Sequence, residues 1–454
     1  MILLFACVAP DAAVPSPDVH DAPFYVQSPR EAVDLDPADG AVAFALTAGP
    51  ITLDLGDGPR EMWAYNGSIP GPTLRARVGD DVAVTFTNGL PVATTVHWHG
   101  MAPDPEHDGS MIVVEPGATT TYRFTADAGR TAWYHPHVNP DDQVDRGLYG
   151  FFVVDDPAQP RADAELLLAF DQLDEGDGID DTGMVHGRRR GPPPPHDTAG
   201  HHGGTPTAEA AAWVVNGRVA PRLLLPAGAV VRARVLNASN AAYLDLRASA
   251  SRWIAGDQGL FGAVAEGAPV LAPGDRVELE WAVGEAFALD AAPYTLDGGA
   301  AYGAAAAAAT IEVAGAAPTP APLDWPFDAA LPSPDPAYTD LVYLLGGAPG
   351  AWTINGEAWP DVTPAVVPRG SRPIVELRNL SATRHPFHTH GNVFEVLSVD
   401  GVAPPHRRLE DTVDVGVREV VRVRLFADNP GDWMVHCHIL GHEAGGMMTL
   451  LRVE

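Results

Sequence analysis

The sequence predicts an all-β chain of three consecutive β-sandwich domains, and three observations carry that prediction. One turn-and-strand pattern occurs three times. Within each copy apolar residues alternate with polar ones, as they do in half-buried strands. The chain also holds 46 Gly and 44 Pro in 454 residues, the punctuation of an architecture with many turns. Its length suits about three domains of ordinary size, and a hydrophobic content of 46% is globular. No apolar run reaches the roughly 18–20 residues that span a bilayer.

Residues 1–30 stand apart from the repeats. Met1-Ile2-Leu3-Leu4-Phe5-Ala6-Cys7 reads as the tail of a bacterial lipoprotein signal with Cys7 as the lipid-bearing residue, although it lacks a basic n-region and its apolar core is short. The expectation is an export leader whose start is truncated, then a Pro-, Asp- and Ala-rich tether. The protein is therefore expected to be exported, periplasmic or a cell-envelope lipoprotein. Cys7 and Cys437 are the only cysteines, too few for a disulfide framework or for reading a redox compartment.

The first copy lies in residues 31–158. Asn66-Gly67 is followed by Pro70, Gly79, a run through Val82, Val84 and Phe86, and Asn88. The second lies in 159–320, with Asn216-Gly217, Pro221, Gly228, a run through Val231, Ala233 and Val235, and Asn237. The third, in 321–454, has Asn355-Gly356, Pro360, Gly370, a run with Val375 and Leu377, and Asn379. Turn residues around alternating runs predict antiparallel strands. Pro-rich stretches at Asp155–Pro160 and Ala316–Leu323 mark the boundaries. The Ala304–Ala309 run has helical propensity and carries little information. Met184 to Pro206, with three successive arginines and His186, His196, His201 and His202, reads either as a disordered surface insertion or as a weak copper-collecting loop.

Histidines fall on this repeat. Nine residues after Asn88 comes His97-Trp98-His99, and nine after Asn379 comes His388-Thr389-His390; the same offset in the middle copy lands on Leu246. His135-Pro136-His137 and His436-Cys437-His438 close the first and third copies. On a strand, alternation sends His436 and His438 to one face and Cys437 to the other, so one short peptide can serve two metal centres. Eight imidazoles are expected to meet where the first and third domains face each other, with the middle domain structural. Cys437, His442 and Met447 add a thiolate, an imidazole and a weak thioether, ligand types of a blue-copper site.

These motifs, from about residue 45 to the end of the chain, resemble the multicopper oxidases, the family of laccases, bilirubin oxidases and copper-efflux oxidases. The resemblance implies cupredoxin-like Greek-key sandwiches and four copper ions. A type 1 copper would be held by His385, Cys437 and His442 with Met447 axial. A type 2 copper would take His97 and His388. A type 3 pair would take His99, His135, His137, His390, His436 and His438. Asp108 resembles the acid that supplies protons at the cluster, and Glu443 a second acid on the exit side; their bland alternatives are a turn-forming Asp-Gly and a surface carboxylate. Cys437 is expected to carry electrons to the cluster through His436 and His438.

The expected partners are O2 and a small electron donor, phenolic or aromatic amine first, cuprous or another metal ion second, with the chain a monomer. A non-catalytic scaffold of the same fold is the remaining alternative, and it would lack ligands that this chain has. The net charge of −31, with all 28 basic residues arginine, excludes phosphate-tracking nucleic-acid binding. Trp98, Trp133 and Trp433 are read as packing beside ligands, Asp411-Thr412-Val413 as fold support, and His406 as part of a solvated loop; His20 and His107 have no assigned partner.

Overall fold

The computed structural model describes residues 28–55, 58–172, 213–248, 251–266, 270–293, 306–327 and 332–454. Cys7, His20, most of the tether and all of Met184 to Pro206 lie outside them. Six sheets form three face-to-face pairs. Two four-stranded sheets draw their strands from residues 41–155, a seven- and a five-stranded sheet from 164–314, and a six- and a five-stranded sheet from 341–453. Each pair encloses its own core. Phe44, Phe86, Trp98 and Phe152 fill the first, Leu168, Val235, Leu246 and Trp281 the second, and Tyr343, Leu377, Phe394 and Trp433 the third.

The thrice-repeated residues have matching jobs. Asn66, Asn216 and Asn355 are left-handed, with φ of 52°, 49° and 56°, and each precedes a glycine with φ of 74° to 78°. That is the backbone of a tight hairpin turn, which Asn-Gly adopts at least cost. The closing asparagines are all buried. Asn88 Nδ2 donates to the carbonyls of Val92 and Val114, Asn237 Nδ2 to those of Ala242 and Leu271, and Asn379 Nδ2 to those of Thr383 and Val415. Each thereby ties the end of its strand to a loop beyond it, satisfying backbone groups that burial would otherwise orphan.

The expectation of antiparallel strands is only partly right. In every copy the first strand, one before the strand that enters the Asn-Gly turn, pairs in parallel with the strand that ends in the buried asparagine: Ala41–Asp54 with Asp81–Asn88, Ala164–Asp171 with Val230–Asn237, and Leu341–Ala348 with Ile374–Asn379. Between the two the chain crosses to the facing sheet and returns, so the strands meet in the same direction. Ala306–Ala314 is a strand rather than a helix, paired on both sides. Two sheet partners and the burial of Ala308, Ala309 and Ile311 override the helical preference of alanine.

Three features lock the sandwiches together. An apolar cluster joins Met62, Trp133, Tyr149 and Phe151 of the first to Leu167 and Leu236 of the second and Leu440 of the third. The buried Arg234 guanidinium, paired with Glu165 and Glu278 of its own middle sandwich at 2.6 Å each, crosses to the first by donating from Nη1 to Thr131 Oγ1 at 2.8 Å. The short helices Pro140–Asp145 and Leu440–Ala444 pack against each other across the boundary, which holds the loop after His438 in place.

Candidate metal centres

Strand pairing brings the histidines into register. In the first sandwich His97 stands opposite His135 on adjacent strands; in the third, His388 stands opposite His436. The two sets then interleave. His97 stacks on His390 with ring centroids 3.9 Å apart, and His99 on His388 at 3.7 Å. All eight imidazoles, including His137 and His438, are buried. Their nitrogens form overlapping groups of metal-ligating spacing: His97, His99 and His135; His97, His388 and His390; and His137, His390 and His436.

Hydrogen bonds set which nitrogen faces the shared space. Nδ1 donates from His97 to the Asp108 carbonyl (3.1 Å), from His135 to that of Pro136 (2.9 Å), from His388 to that of Asp411 (3.0 Å) and from His436 to that of Cys437 (3.0 Å). His390 Nδ1 donates to Asp108 Oδ2 at 2.9 Å, and His99 Nε2 to Asp411 Oδ1 at 3.0 Å. The opposite nitrogens of His97, His99, His135 and His388 have no protein partner although buried. Orphaned lone pairs in a dry interior are costly. His390 Nε2 and His436 Nε2 lie 2.9 Å apart, so a shared proton or a metal ion relieves their facing lone pairs. An imidazole-only set of this kind fits copper.

Burial favours the neutral form of six of the eight imidazoles. Loss of hydration pushes His99, His135, His390 and His438 well below the usual imidazole range. It pushes His137 and His388 to about 4, against the attraction of Glu443 and Asp411 respectively. His436 alone is raised: burial lowers it, but the Glu443 carboxylate outweighs burial. Neutral imidazoles are the form that binds metal.

The second centre lies on the other face of the strand Gly431–Cys437. Cys437 Sγ is 3.5 Å from Nδ1 of both His385 and His442, and those two nitrogens are 3.2 Å apart. Met447 is fully buried in the same core as Cys437, and its backbone accepts from the Cys437 amide. Ser381 Oγ lies 2.7 Å from His385 Nε2, occupying that nitrogen and leaving Nδ1 to face the thiol. Trp352 covers His442, ring centroids 4.0 Å apart. Burial pushes the Cys437 thiol well above its ordinary value and the His442 imidazole down to about 3.

Both carboxylates singled out in the sequence touch cluster histidines. Asp108 contacts His390 and lies 3.3 Å from His97 Nδ1. Its burial is outweighed by these imidazoles, which hold it well below the carboxylate range. The turn reading of Asp108-Gly109 also stands, because a Cβ on Gly109 would meet the Val96 carbonyl oxygen at 1.8 Å. Glu443 bridges the two sandwiches, 3.5 Å from His137 Nδ1 and 3.0 Å from His436 Nδ1. Burial raises it, but His436 and His137 bring it to about 2.

Sequence reasoning misplaced two residues and missed others. Asp411, read as fold support, bonds His99 and lies 3.5 Å from His388 Nδ1. His406 is 7% exposed and packs on Phe261, because the loop folds against the middle sandwich. The middle sandwich itself is more than a spacer: Arg276 and Gln258 reach Asp411 from it. Neither carries a motif, and the spacing of the repeat alone does not flag them. Trp98, Trp133 and Trp433 are buried as expected, with Trp133 stacked on His135 at 4.1 Å.

Known proteins resemble the chain over most of its length. Residues 47–159 and 333–454 each match a family model described as multicopper oxidase. Multicopper oxidase MmcO of Mycobacterium tuberculosis is 33% identical, over 90% of this chain and 86% of its own. A laccase of Haloferax volcanii is 28% identical, over 92% of this chain and 82% of its own. The crystal structure of a multi-copper oxidase from Pseudomonas thermotolerans superposes with a TM-score of 0.73 at 29% identity, covering 91% of this chain and 99% of that one.

Proposed function

This chain belongs to the multicopper oxidases, and we propose that it is a laccase-like member, taking single electrons from phenolic or aromatic amine donors to reduce O2 to water. The observation that supports this most is the joining of two ligand sets by consecutive residues: Cys437 lies at one centre, His436 and His438 at the other. Their shared backbone is a short covalent route from a donor-side site to an oxygen-side site. His385, Cys437, His442 and Met447 would hold a type 1 copper. His97 and His388 would hold a type 2 ion, and His99, His135, His137, His390, His436 and His438 a type 3 pair, four ions in all. Copper so held supplies one-electron acceptance at the thiolate site and four-electron reduction of O2 at the cluster.

The chain's own groups handle the rest. Asp108 Oδ2 and Glu443 Oε2 lie beside different imidazoles of the cluster, His390 and His436, and their role is to pass the protons that water formation consumes. Trp352 and the chain around it keep His442 at 1% exposure, so the donor gives its electron across this wall. For the remainder we keep the leader reading, an exported and lipid-anchored monomer. Mass measurement of the native protein after cell fractionation tests it, and an unmodified cytosolic chain would refute it.

Oxygen uptake by the copper-loaded protein tests the donor, run with a simple phenol and with cuprous ion. Fast uptake with the phenol and little with cuprous ion supports the laccase-like reading. The reverse moves the assignment to a cuprous oxidase, for which the His-rich segment at 184–206 is the motivating feature. Few soft ligands argue against that second reading, since the chain has eight methionines and thioethers are what cuprous ions favour.

A further inference from the structure

Arg276 is fully buried, and nearly every donor it carries is spent near the cluster. Nη1 donates to Asp411 Oδ1 at 2.8 Å and to the Gly274 carbonyl at 3.1 Å. Nη2 donates to Asp411 Oδ2 at 2.5 Å, and Nε to the Thr131 carbonyl of the first sandwich at 3.1 Å. The guanidinium therefore ties all three sandwiches together at one point. Gln258 Nε2 adds a bond to Asp411 Oδ2 at 2.5 Å, also from the middle sandwich.

Asp411 in turn fixes two imidazoles by different atoms. Its Oδ1 accepts from His99 Nε2, while its backbone carbonyl accepts from His388 Nδ1. These bonds decide that His99 presents Nδ1 and His388 presents Nε2 to the shared space. A carboxylate without the two-point clamp can turn about its χ2 and release His99. Bidentate guanidinium–carboxylate pairing removes that freedom, as a lysine cannot.

The glycine of His97-Trp98-His99-Gly100 is explained by the same contact. A Cβ on Gly100 would lie 2.6 Å from Arg276 Nη2 and 3.3 Å from Asp411 Oδ2. Gly274 is constrained likewise, because its Cβ would meet the His438 ring at 2.9 Å. The middle sandwich, which carries no ligand of its own, is thus pressed against the cluster from one side.

We propose that Arg276 is a positioning residue of the imidazole cluster, holding Asp411 so that His99 and His388 keep the ring orientation that retains copper. The inference rests on the copper-cluster reading above. Groups that orient ligands in this way typically change metal affinity by about 10–100-fold when removed.

The test measures copper retention rather than turnover. Natural protein, Arg276→Met and Arg276→Lys are loaded with copper and titrated with a chelator. Total copper, the thiolate–copper absorption of the Cys437 centre and the electron paramagnetic resonance of the non-blue ion are followed together. Arg276→Met is expected to keep the thiolate band and lose cluster copper at about 10–100-fold lower free chelator. Arg276→Lys keeps the charge without the fork and is expected to fall between. Unchanged cluster copper in either variant overturns the proposal. So does loss of both centres in parallel, which would mark Arg276 as a fold element alone. Should Arg276→Met not fold, Arg276→Lys decides by the same two readings. If the natural chain itself holds no cluster copper, the cluster reading fails instead, which keeps the two failures apart.

Discussion

Acid should take the copper-free protein apart over a narrow range. Eight histidines at the two centres, His99, His135, His137, His385, His388, His390, His438 and His442, have depressed pKa values, chiefly through burial. An unfolded histidine titrates near 6.5, so below that pH the unfolded chain binds protons that the folded chain refuses. Stability is complete above about pH 6.5 and falls by about 1.4 kcal/mol per pH unit for each such group, down to its folded value. Four buried carboxyls act the other way. Burial raises Asp171 and Glu410 to about 7, and raises Asp257 and Asp275 well above their usual range, so the folded chain takes up protons there first. Eight losses against four gains leave about four protons, or roughly 5 kcal/mol per pH unit between pH 6.5 and 4.5. His436, raised by Glu443, contributes fully below pH 6.5 and adds no slope. Against a typical stability of about 5–15 kcal/mol, the two pH units of that window remove roughly 10 kcal/mol. Denaturant unfolding of copper-free protein at pH 7.0, 6.0 and 5.5 reads this directly. Copper should flatten the dependence, because a ligated nitrogen has no lone pair for a proton. An unfolding free energy constant within about 1 kcal/mol from pH 7.0 to 5.5 would refute the reasoning.

Other consequences are open to measurement. Because burial depresses His99, His135, His137, His388, His390 and His438 and raises the Cys437 thiol, copper loading at pH 7 should release about one proton from Cys437 and a further share from His436; an indicator titration yielding several more would contradict the neutrality of those six imidazoles. Asp108→Asn removes a carboxylate from His97 and His390, and turnover should fall by about 10²–10⁴-fold if it passes protons; intact turnover ends that role. Met447→Leu should raise the potential of the Cys437 centre by removing a weak axial ligand, and an unchanged potential in redox titration would deny Met447 that place. Gly100→Ala forces a side chain onto φ of +92° and onto the clamped guanidinium 2.6 Å away, so a loss of about 1–3 kcal/mol from the backbone alone is expected. Thermal unfolding equal to that of the natural protein would mean the Arg276 contact is looser than described.

What the sequence made legible was whatever the repeat writes down. Asn88, Asn237 and Asn379 recur because each sandwich must satisfy the same buried loop carbonyls, and the His-x-His pairs recur because cross-strand neighbours share a face. Parallel pairing was not legible, since alternation reports which face a residue takes and not the direction of the neighbouring strand. Asp411 was legible as a residue and not as a role. Its partner His99 lies 312 positions away, and no local pattern encodes a contact of that span. Ser381, bonded to His385, sits in Asn379-Leu380-Ser381, whose counterpart Asn237-Ala238-Ser239 in the middle copy makes the same serine–asparagine bond, with Ser239 Oγ turned to Asn237 and Ala242 instead of a histidine. The serine was hidden because its structural bond recurs and its bond to His385 does not.

The spread of the ligands along the chain makes metal affinity a property of the whole fold. Four cluster imidazoles come from residues 97–137 and four from 388–438, so copper bound there also clamps the first sandwich to the third. Part of the binding free energy is then docking free energy, and anything that loosens the docking weakens the metal. The middle sandwich sits in that linkage through Arg276 and Gln258, which reach Asp411, and through Arg234, whose Nη1 donates to Thr131 Oγ1 of the first sandwich at 2.8 Å. A substitution at Arg234, which touches no cluster histidine, should therefore lower affinity at the interdomain cluster. It should spare the Cys437 centre, whose four side chains all belong to the third sandwich.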